Sequence, residues 1–304
     1  MESGLSAWIR PARERADAER ARAARAAAIA RRHEERMATA SETTRAVHER
    51  MARIHHALEE RHLTAARLHD THVRRLTQWF VTEDAAADRR PRLISAIAEL
   101  LGARSVGITL LNSQRITASA IASDAVAAAA QDLEVTLGEG PVHDATASSS
   151  LVVVPKELLP RRWRHYSPAI SELGVHSLAV APLGVRGSCV GALAVFDPAS
   201  PEPARRLTKY LQEIADALTH TMLLTRTTIA QLAEESPPDG METLLEAPDF
   251  SAVVHQATGM VAAQVGCNVA DALALIKARA FVDNEQVSTV ARQLVDRRLR
   301  LETP

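Results

Sequence analysis

Between Pro11 and Pro91 the chain contains neither proline nor glycine. Nothing there forces the backbone out of an α-helix, and the abundant Ala and Arg favour one. The sequence therefore predicts a long charged N-terminal helix over residues 1–80, continuous from about Arg13 to Phe80. Residues 1–80 carry 16 Arg against 11 Asp and Glu, a net of +5, and seven of the twelve His. Val47, Met51, Ile54 and Leu58 follow the four-three-four spacing of a coiled-coil seam, which continues through Ala65, Leu68 and Leu76. Three readings fit: a solvated helix, a dimerising helix over residues 47–80, and an arginine-rich arm that touches RNA. His48, His55, His62 and His69 recur every seven residues. That places consecutive members about 10 Å apart along one helix, too far for one metal ion, so no metal site is expected.

Residues 82–228 read as one α+β domain. Leu93, Ile97, Leu100 and Leu101 make a helix stopped by Gly102. Val106, Ile108 and Leu110 alternate with Gly107 and Thr109 as a strand, and Arg115 to Ile121 return as a second. An alanine-rich segment leads to the loop Leu137-Gly138-Glu139-Gly140-Pro141. Leu151 to Val154 is a short strand. Val175 to Leu183 and Ser188 to Phe196 form a hairpin, and Pro203 to Arg226 close the domain as a long helix.

Residues 229–248 contain Ser236-Pro237-Pro238-Asp239-Gly240 and Pro248, the composition of a linker. Residues 249–304 then carry three amphipathic stripes. The first is Phe250, Val253, Val254, Ala257, Val261 and Val265; the second Val269, Ala272, Leu273, Ile276 and Ala280; the third Val287, Val290, Ala291, Leu294 and Val295. Gly266 supplies a left-handed stop after the first, and Asn268 a cap for the second. Three stripes and two short loops predict an all-α three-helix bundle.

Composition narrows the function. Lys156, Lys209 and Lys277 are the only lysines among 36 basic residues, which fits a high-GC bacterial genome. A net charge of −1 gives no global field for nucleic acid. Cys189 and Cys267 fit a reducing cytoplasm better than a disulfide framework or a zinc site. No apolar run reaches membrane-spanning length and no signal peptide is seen. No enzyme is expected either. Gly187-Ser188 lacks a nucleophile elbow, and Gly138-Glu139-Gly140-Pro141 lacks the Gly-Lys-Ser/Thr ending of a phosphate loop. His143 and Asp144 are sequence neighbours and point apart, while His165 and His176 stand alone.

Two resemblances add to this. Gln256-Ala257-Thr258-Gly259-Met260, Ala272 and Leu273, Ala280-Phe281, Asp283-Asn284 and Val290-Ala291 resemble the ANTAR family, RNA-binding modules of bacterial transcription antitermination. Thr258, and the region of Glu285 and Gln286, depart from it by lacking basic residues. Leu137-Gly138-Glu139-Gly140-Pro141 with Asp144-Ala145, Gly174-Val175, Ala181-Pro182-Leu183 and Gly191-Ala192-Leu193 resemble GAF domains that precede such modules. The cyclic-nucleotide signature and a bilin-attaching cysteine are missing. The resemblances imply an α+β GAF domain and a C-terminal all-α three-helix bundle that binds RNA hairpins to antagonise termination. The alternative is a scaffold or metabolite-binding GAF protein whose bundle makes protein contacts. RNA contacts are expected from Gln256, Thr258 and Gly259, with Lys277, Arg279 and Arg292 on phosphates. An unknown small-molecule ligand is expected under the segment from Glu139 to Tyr166, at Glu139, His143, Trp163 and Arg164. A homodimer with parallel N-terminal helices is expected, with no cofactor and no membrane contact.

Overall fold

The structure is a computed structural model, and it describes residues 2–81, 92–112, 115, 117–185, 188–198, 204–232, 250–283, 285 and 287–301. It divides into two compact units, Met1–Leu100 with Lys209–Gly240, and Leu101–Thr208 with Met241–Pro304. The centre of the expected linker, residues 233–248, lies outside the described residues.

The first unit overturns the continuous N-terminal helix. α1 (Glu2–Met37) and α2 (Glu42–Val81) are separate helices. Their cross-pairs run in opposite directions: Arg20 with Asp70 at 2.6 Å, His62 with Glu19 at 2.6 Å, His56 with Glu34 at 2.8 Å, and His33 with His48 at 3.0 Å. The two helices therefore form an antiparallel hairpin. The break needs no glycine or proline. Ser41, just before α2, bonds Thr44 through the two hydroxyls at 2.7 Å. Ser and Thr hydroxyls offer the backbone a local alternative to the helix, and Thr39, Thr43 and Thr44 are weak helix formers beside the Ala-Arg run.

The surface buried inside the hairpin also differs from the expected seam. On α1 it is alanine: Ala12, Ala16, Ala23, Ala26, Ala27 and Ala30 are buried. On α2 it is the seven-residue histidine stripe with small and apolar neighbours, since His62 and His69 are buried beside Ala65, Ala66, Leu68 and Leu76. Val47 and Ile54 face away and stay 58% and 43% exposed. The alanines of α1 let α2 come close enough for His62 to reach Glu19, itself 4% exposed. Two further helices join this unit. α3 (Leu93–Leu101) is tied to α2 through Glu99, which accepts from Arg74 and Arg75 at 2.8 and 2.9 Å. α8 (Ala204–Leu232) lies against α2 where His220 meets His62 edge-on, ring centroids 5.0 Å apart.

The second unit is built on a five-stranded antiparallel sheet in the order β2-β1-β5-β4-β3. Its strands are β1 (Ala103–Leu111), β2 (Thr117–Ala122), β3 (Val152–Val154), β4 (Leu178–Val185) and β5 (Ser188–Pro198). The expected strands are all present, displaced by a few residues at their ends. Between β2 and β4 come four helices: α4 (Ala125–Leu137), α5 (Pro141–Ser148), α6 (Leu159–Arg162) and α7 (Tyr166–Glu172). The alanine-rich segment is thus α4, capped by Asp124, whose side chain accepts from the Ala127 N–H at 2.9 Å. Packed together in one core are Trp163, Tyr166, Ile170 and Phe196, with Ala127, Ala130, Ala192 and Ala194. With so few aromatics in the chain, alanine, valine and leucine fill the rest of this layer.

The C-terminal residues form α9 (Phe250–Val265), α10 (Val269–Asp283) and α11 (Val287–Val295). Gly266 has φ 73°, as a left-handed stop requires. Asn268 Oδ1 accepts from the Asp271 N–H at 2.9 Å, as a cap should. Val254, Ala257, Val261, Ala272, Ile276, Ala280, Val287, Val290, Ala291 and Leu294 share one core. Val269 leaves its expected stripe and stands 62% exposed. Among the described residues no helix is long and apolar enough to cross a membrane.

Candidate functional site

The loop Gly138-Glu139-Gly140-Pro141 joins two helices rather than two strands. Gly138 ends α4 with φ 70°, and Pro141 opens α5. Gly140 has φ 154°, and a Cβ there would lie 2.6 Å from the Glu134 carboxyl carbon. The absent side chain lets Glu134 lie under the start of α5, where the His143 N–H donates to its Oε1 at 2.6 Å. Lost hydration still outweighs these donors and pushes the Glu134 carboxyl up to about 8.

The expected ligand residues have different surroundings. Glu139 Oε1 accepts from the backbone N–H groups of His165 and Tyr166 at 2.6 and 3.1 Å, which hold its carboxyl below the usual range. It staples the loop to the start of α7. Trp163 is 6% exposed and belongs to the core, edge-on to Tyr166, with its indole N–H donating to Asp144 at 3.3 Å. Arg164 is exposed. Trp163 and Tyr166 of this segment pack into the domain core.

A cavity of about 550 Å³ lies elsewhere in the same unit. One wall comes from β1, β2, α4 and α5, with Thr109, Ala120, Gln131, Glu134, His143 and Thr146. The other comes from α9 and α10, with Val254, Thr258, Asn268, Leu273 and Lys277. Of the four expected ligand residues, only His143 reaches it. The volume is that of a small-molecule site, and the mixture of apolar wall and few polar groups is what such sites have.

The expected RNA residues separate into two sets. Gln256, Gly259, Arg279 and Arg292 are exposed. A Cβ on Gly259 would meet nothing within 4 Å. Arg279 donates from Nε to Asp283 at 2.5 Å. Thr258 and Lys277 do not belong to this surface. Thr258 is 2% exposed and donates its hydroxyl to the Val254 carbonyl at 2.6 Å. Lys277 is half-buried, and lost hydration lowers its pKa. Both line the cavity, because α9 and α10 have a second neighbour in the sheet domain and so bury a second face. Sequence reasoning missed Arg115, Gln131, Asn268 and Asp132. Gln131 was legible as an amide inside an alanine run; buried, it donates to the Ile108 carbonyl and Thr109 hydroxyl, both at 3.0 Å.

A family comparison covers this part of the chain. The family model described as GAF domain matches residues 91–225. Residues 91–225 carry a GAF domain. About half of the chain is similar to several solved structures, all at low identity. One is a domain of a two-component sensor histidine kinase protein from Sinorhizobium meliloti 1021, at 15% identity and TM-score 0.37, covering 47% of this chain and 92% of that one. Another is the GAF domain of an Acinetobacter phosphoenolpyruvate-protein phosphotransferase, at 11% identity and TM-score 0.32, covering 45% and 82%. A third is free methionine-R-sulfoxide reductase from Neisseria meningitidis, at 17% identity and TM-score 0.34, covering 56% and 94%. No curated protein matches the chain. Among the described residues of the GAF domain and beyond, no group of three His, Cys, Asp or Glu has the geometry to hold a metal ion, and Cys189 and Cys267 are free thiols.

Proposed function

We propose that the chain is a non-enzymatic cytoplasmic regulator, in which the GAF domain senses a small molecule and helices α9–α11 bind RNA hairpins to oppose transcription termination. The observation that carries this reading is the cavity: its two walls belong to the GAF domain and to α9–α10. One bound molecule touches both, so it can favour one arrangement of sensor and output over another by its differential affinity. The RNA part rests on the ANTAR-like residues of α9–α11 and on the exposure of Gln256, Gly259, Arg279 and Arg292. Bound hairpins would be stabilised over the competing terminator fold by the same differential affinity. Two modules in a homodimer would hold two hairpins with the gain of effective concentration.

The test is titration of the full chain against hairpin RNA at several salt concentrations. Arg292→Ala should weaken binding and reduce the salt slope by about one, with unchanged melting temperature. A second reading has a specific observation behind it. Phe281 and Val282, at the end of α10, are 64% and 77% exposed, and exposed apolar neighbours suit a protein partner. Under that reading RNA binding is absent or insensitive to Arg292.

A further inference from the structure

The cavity between the GAF domain and α9–α10 has a charge pattern that narrows what it can hold. Its apolar wall includes Leu111, Val135, Val142, Val254 and Leu273. Its cations are Lys277, from α10, and Arg115, from the β1–β2 connection. Among the lining residues the sole carboxylate is Glu134, which is turned to the start of α5 and engaged by the His143 N–H. Lys277 has no ion-pair partner among the described residues. A half-buried ammonium without a partner is unfavourable unless a counter-charge enters with a ligand. Arg115 is fixed by a bond from its Nη2 to the Thr146 carbonyl, which leaves its other N–H groups to donate. Asn268 and Thr258, also on the wall, are each committed within their own helix or cap.

We propose that this cavity takes a small, mainly apolar molecule bearing one anionic group, a carboxylate, sulfonate or phosphate, with Lys277 and Arg115 as its charge partners. The proposal names the ligand class for the sensing role argued above and rests on it, but its test needs no RNA. Because Lys277 is on α10 and Arg115 on the GAF domain, the anion bridges the two parts of the unit. Removing Lys277 removes the bridge and leaves the apolar wall intact.

The experiment uses the full chain and two fluorescent probes of nearly the same shape: 8-anilinonaphthalene-1-sulfonate and its neutral parent, N-phenyl-1-naphthylamine. The anionic probe should bind saturably and one-to-one, and more tightly than the neutral one. Lys277→Gln should weaken the anionic probe by about tenfold, the scale of one lost charge-assisted hydrogen bond. It should leave the neutral probe within about twofold. Arg115→Gln should act in the same direction, with its melting temperature checked against the native chain. Ala120→Trp, which fills the cavity from the β2 side, should abolish binding of both. Lys209→Gln, on α8, should change nothing. Equal affinity for the two probes, an unchanged anionic probe in both Lys277→Gln and Arg115→Gln, or no saturable binding by the native chain would overturn the proposal. Loss of RNA binding in a chain that still discriminates the probes would instead count against the RNA reading alone.

Discussion

Ser288, on α11, donates its hydroxyl to Asp132 Oδ2, on α4 of the GAF domain, at 2.8 Å. The residues are 156 positions apart, and Asp132 is only 3% exposed. Asp132 Oδ1 has no hydrogen-bond partner among the described residues. Burial pushes the carboxyl up to about 7, against the pull of the Ser288 bond. The C-terminal helices are thus docked on the sensor through a carboxyl group that is costly to ionise.

That cost gives a pH dependence with a definite sign. The unfolded Asp132 titrates near 3.8 and the folded one near 7. Its contribution is fully present below the lower value, falls as pH rises between the two, and stays lost above. Asp132→Asn keeps the hydrogen-bond acceptor without the ionisation. The variant should match the native chain at pH 4 and be more stable at pH 8 by up to ~4 kcal/mol, about 1.4 kcal/mol for each of roughly three pK units, read by calorimetry. A native chain that gains on the variant as pH rises would show that Asp132 is ionised at little cost.

The hairpin should respond in the opposite direction. Burial first, and then Arg15, lower His69 to about 4 from an ordinary 6.5. Between those values the unfolded chain takes up a proton that the folded hairpin refuses, so stability is lost as pH falls through that window. Helix content of the native chain should melt earlier at pH 5 than at pH 7. In His69→Gln the difference should shrink. An undiminished acid effect in that variant would assign it to other histidines of the stripe.

Gly259 separates stability from binding. Glycine inside an exposed helix costs up to about 1 kcal/mol relative to alanine. Since a side chain there meets nothing, Gly259→Ala should raise the melting temperature. Gly259→Leu should fold as well and lose RNA affinity by obstructing close approach. Normal RNA binding by Gly259→Leu would move the contact surface away from this part of α9.

Assembly is the fourth prediction. α2 already has α1 and α8 as neighbours, yet Val47 and Ile54 remain exposed. A second copy of the chain could cover them. Sedimentation of the full chain should show a dimer at tens of micromolar, and Ile54→Glu should shift it toward monomer. A native monomer at that concentration contradicts the dimer. A dimer unaffected by Ile54→Glu places its interface elsewhere.

What was legible in the sequence follows from the range of the forces involved. The Gly266 stop, the Asn268 cap and most of the stripe positions of α9–α11 are set within one turn of helix, which is why spacing shows them; Val269, at the very start of α10, is the exception. The strand alternation of β1 and the hairpin of β4 and β5 are equally local. The hairpin of α1 and α2 was missed because a helix can end on a Ser-Thr cluster as well as on glycine or proline. The histidine stripe made sense only once α1 brought Glu19 and His33 across to it. Thr258 and Lys277 were assigned to the surface because periodicity reports one buried face, and a helix between two neighbours has two. Glu139, Trp163 and Arg164 lie on connections whose direction is fixed by tertiary contacts, so their spacing could not show that Glu139 caps the start of α7 and Trp163 enters the core.

Whether α9–α11 bind RNA is tested by ultraviolet crosslinking of the full chain to RNA in its own cell, followed by sequencing of the bound fragments. Hairpin sequences should be enriched, and the enrichment should be lost in the double variant Arg279→Ala, Arg292→Ala, with the protein still folded. Recovery of no more RNA than the double variant, or of RNA without hairpins, would contradict the proposal.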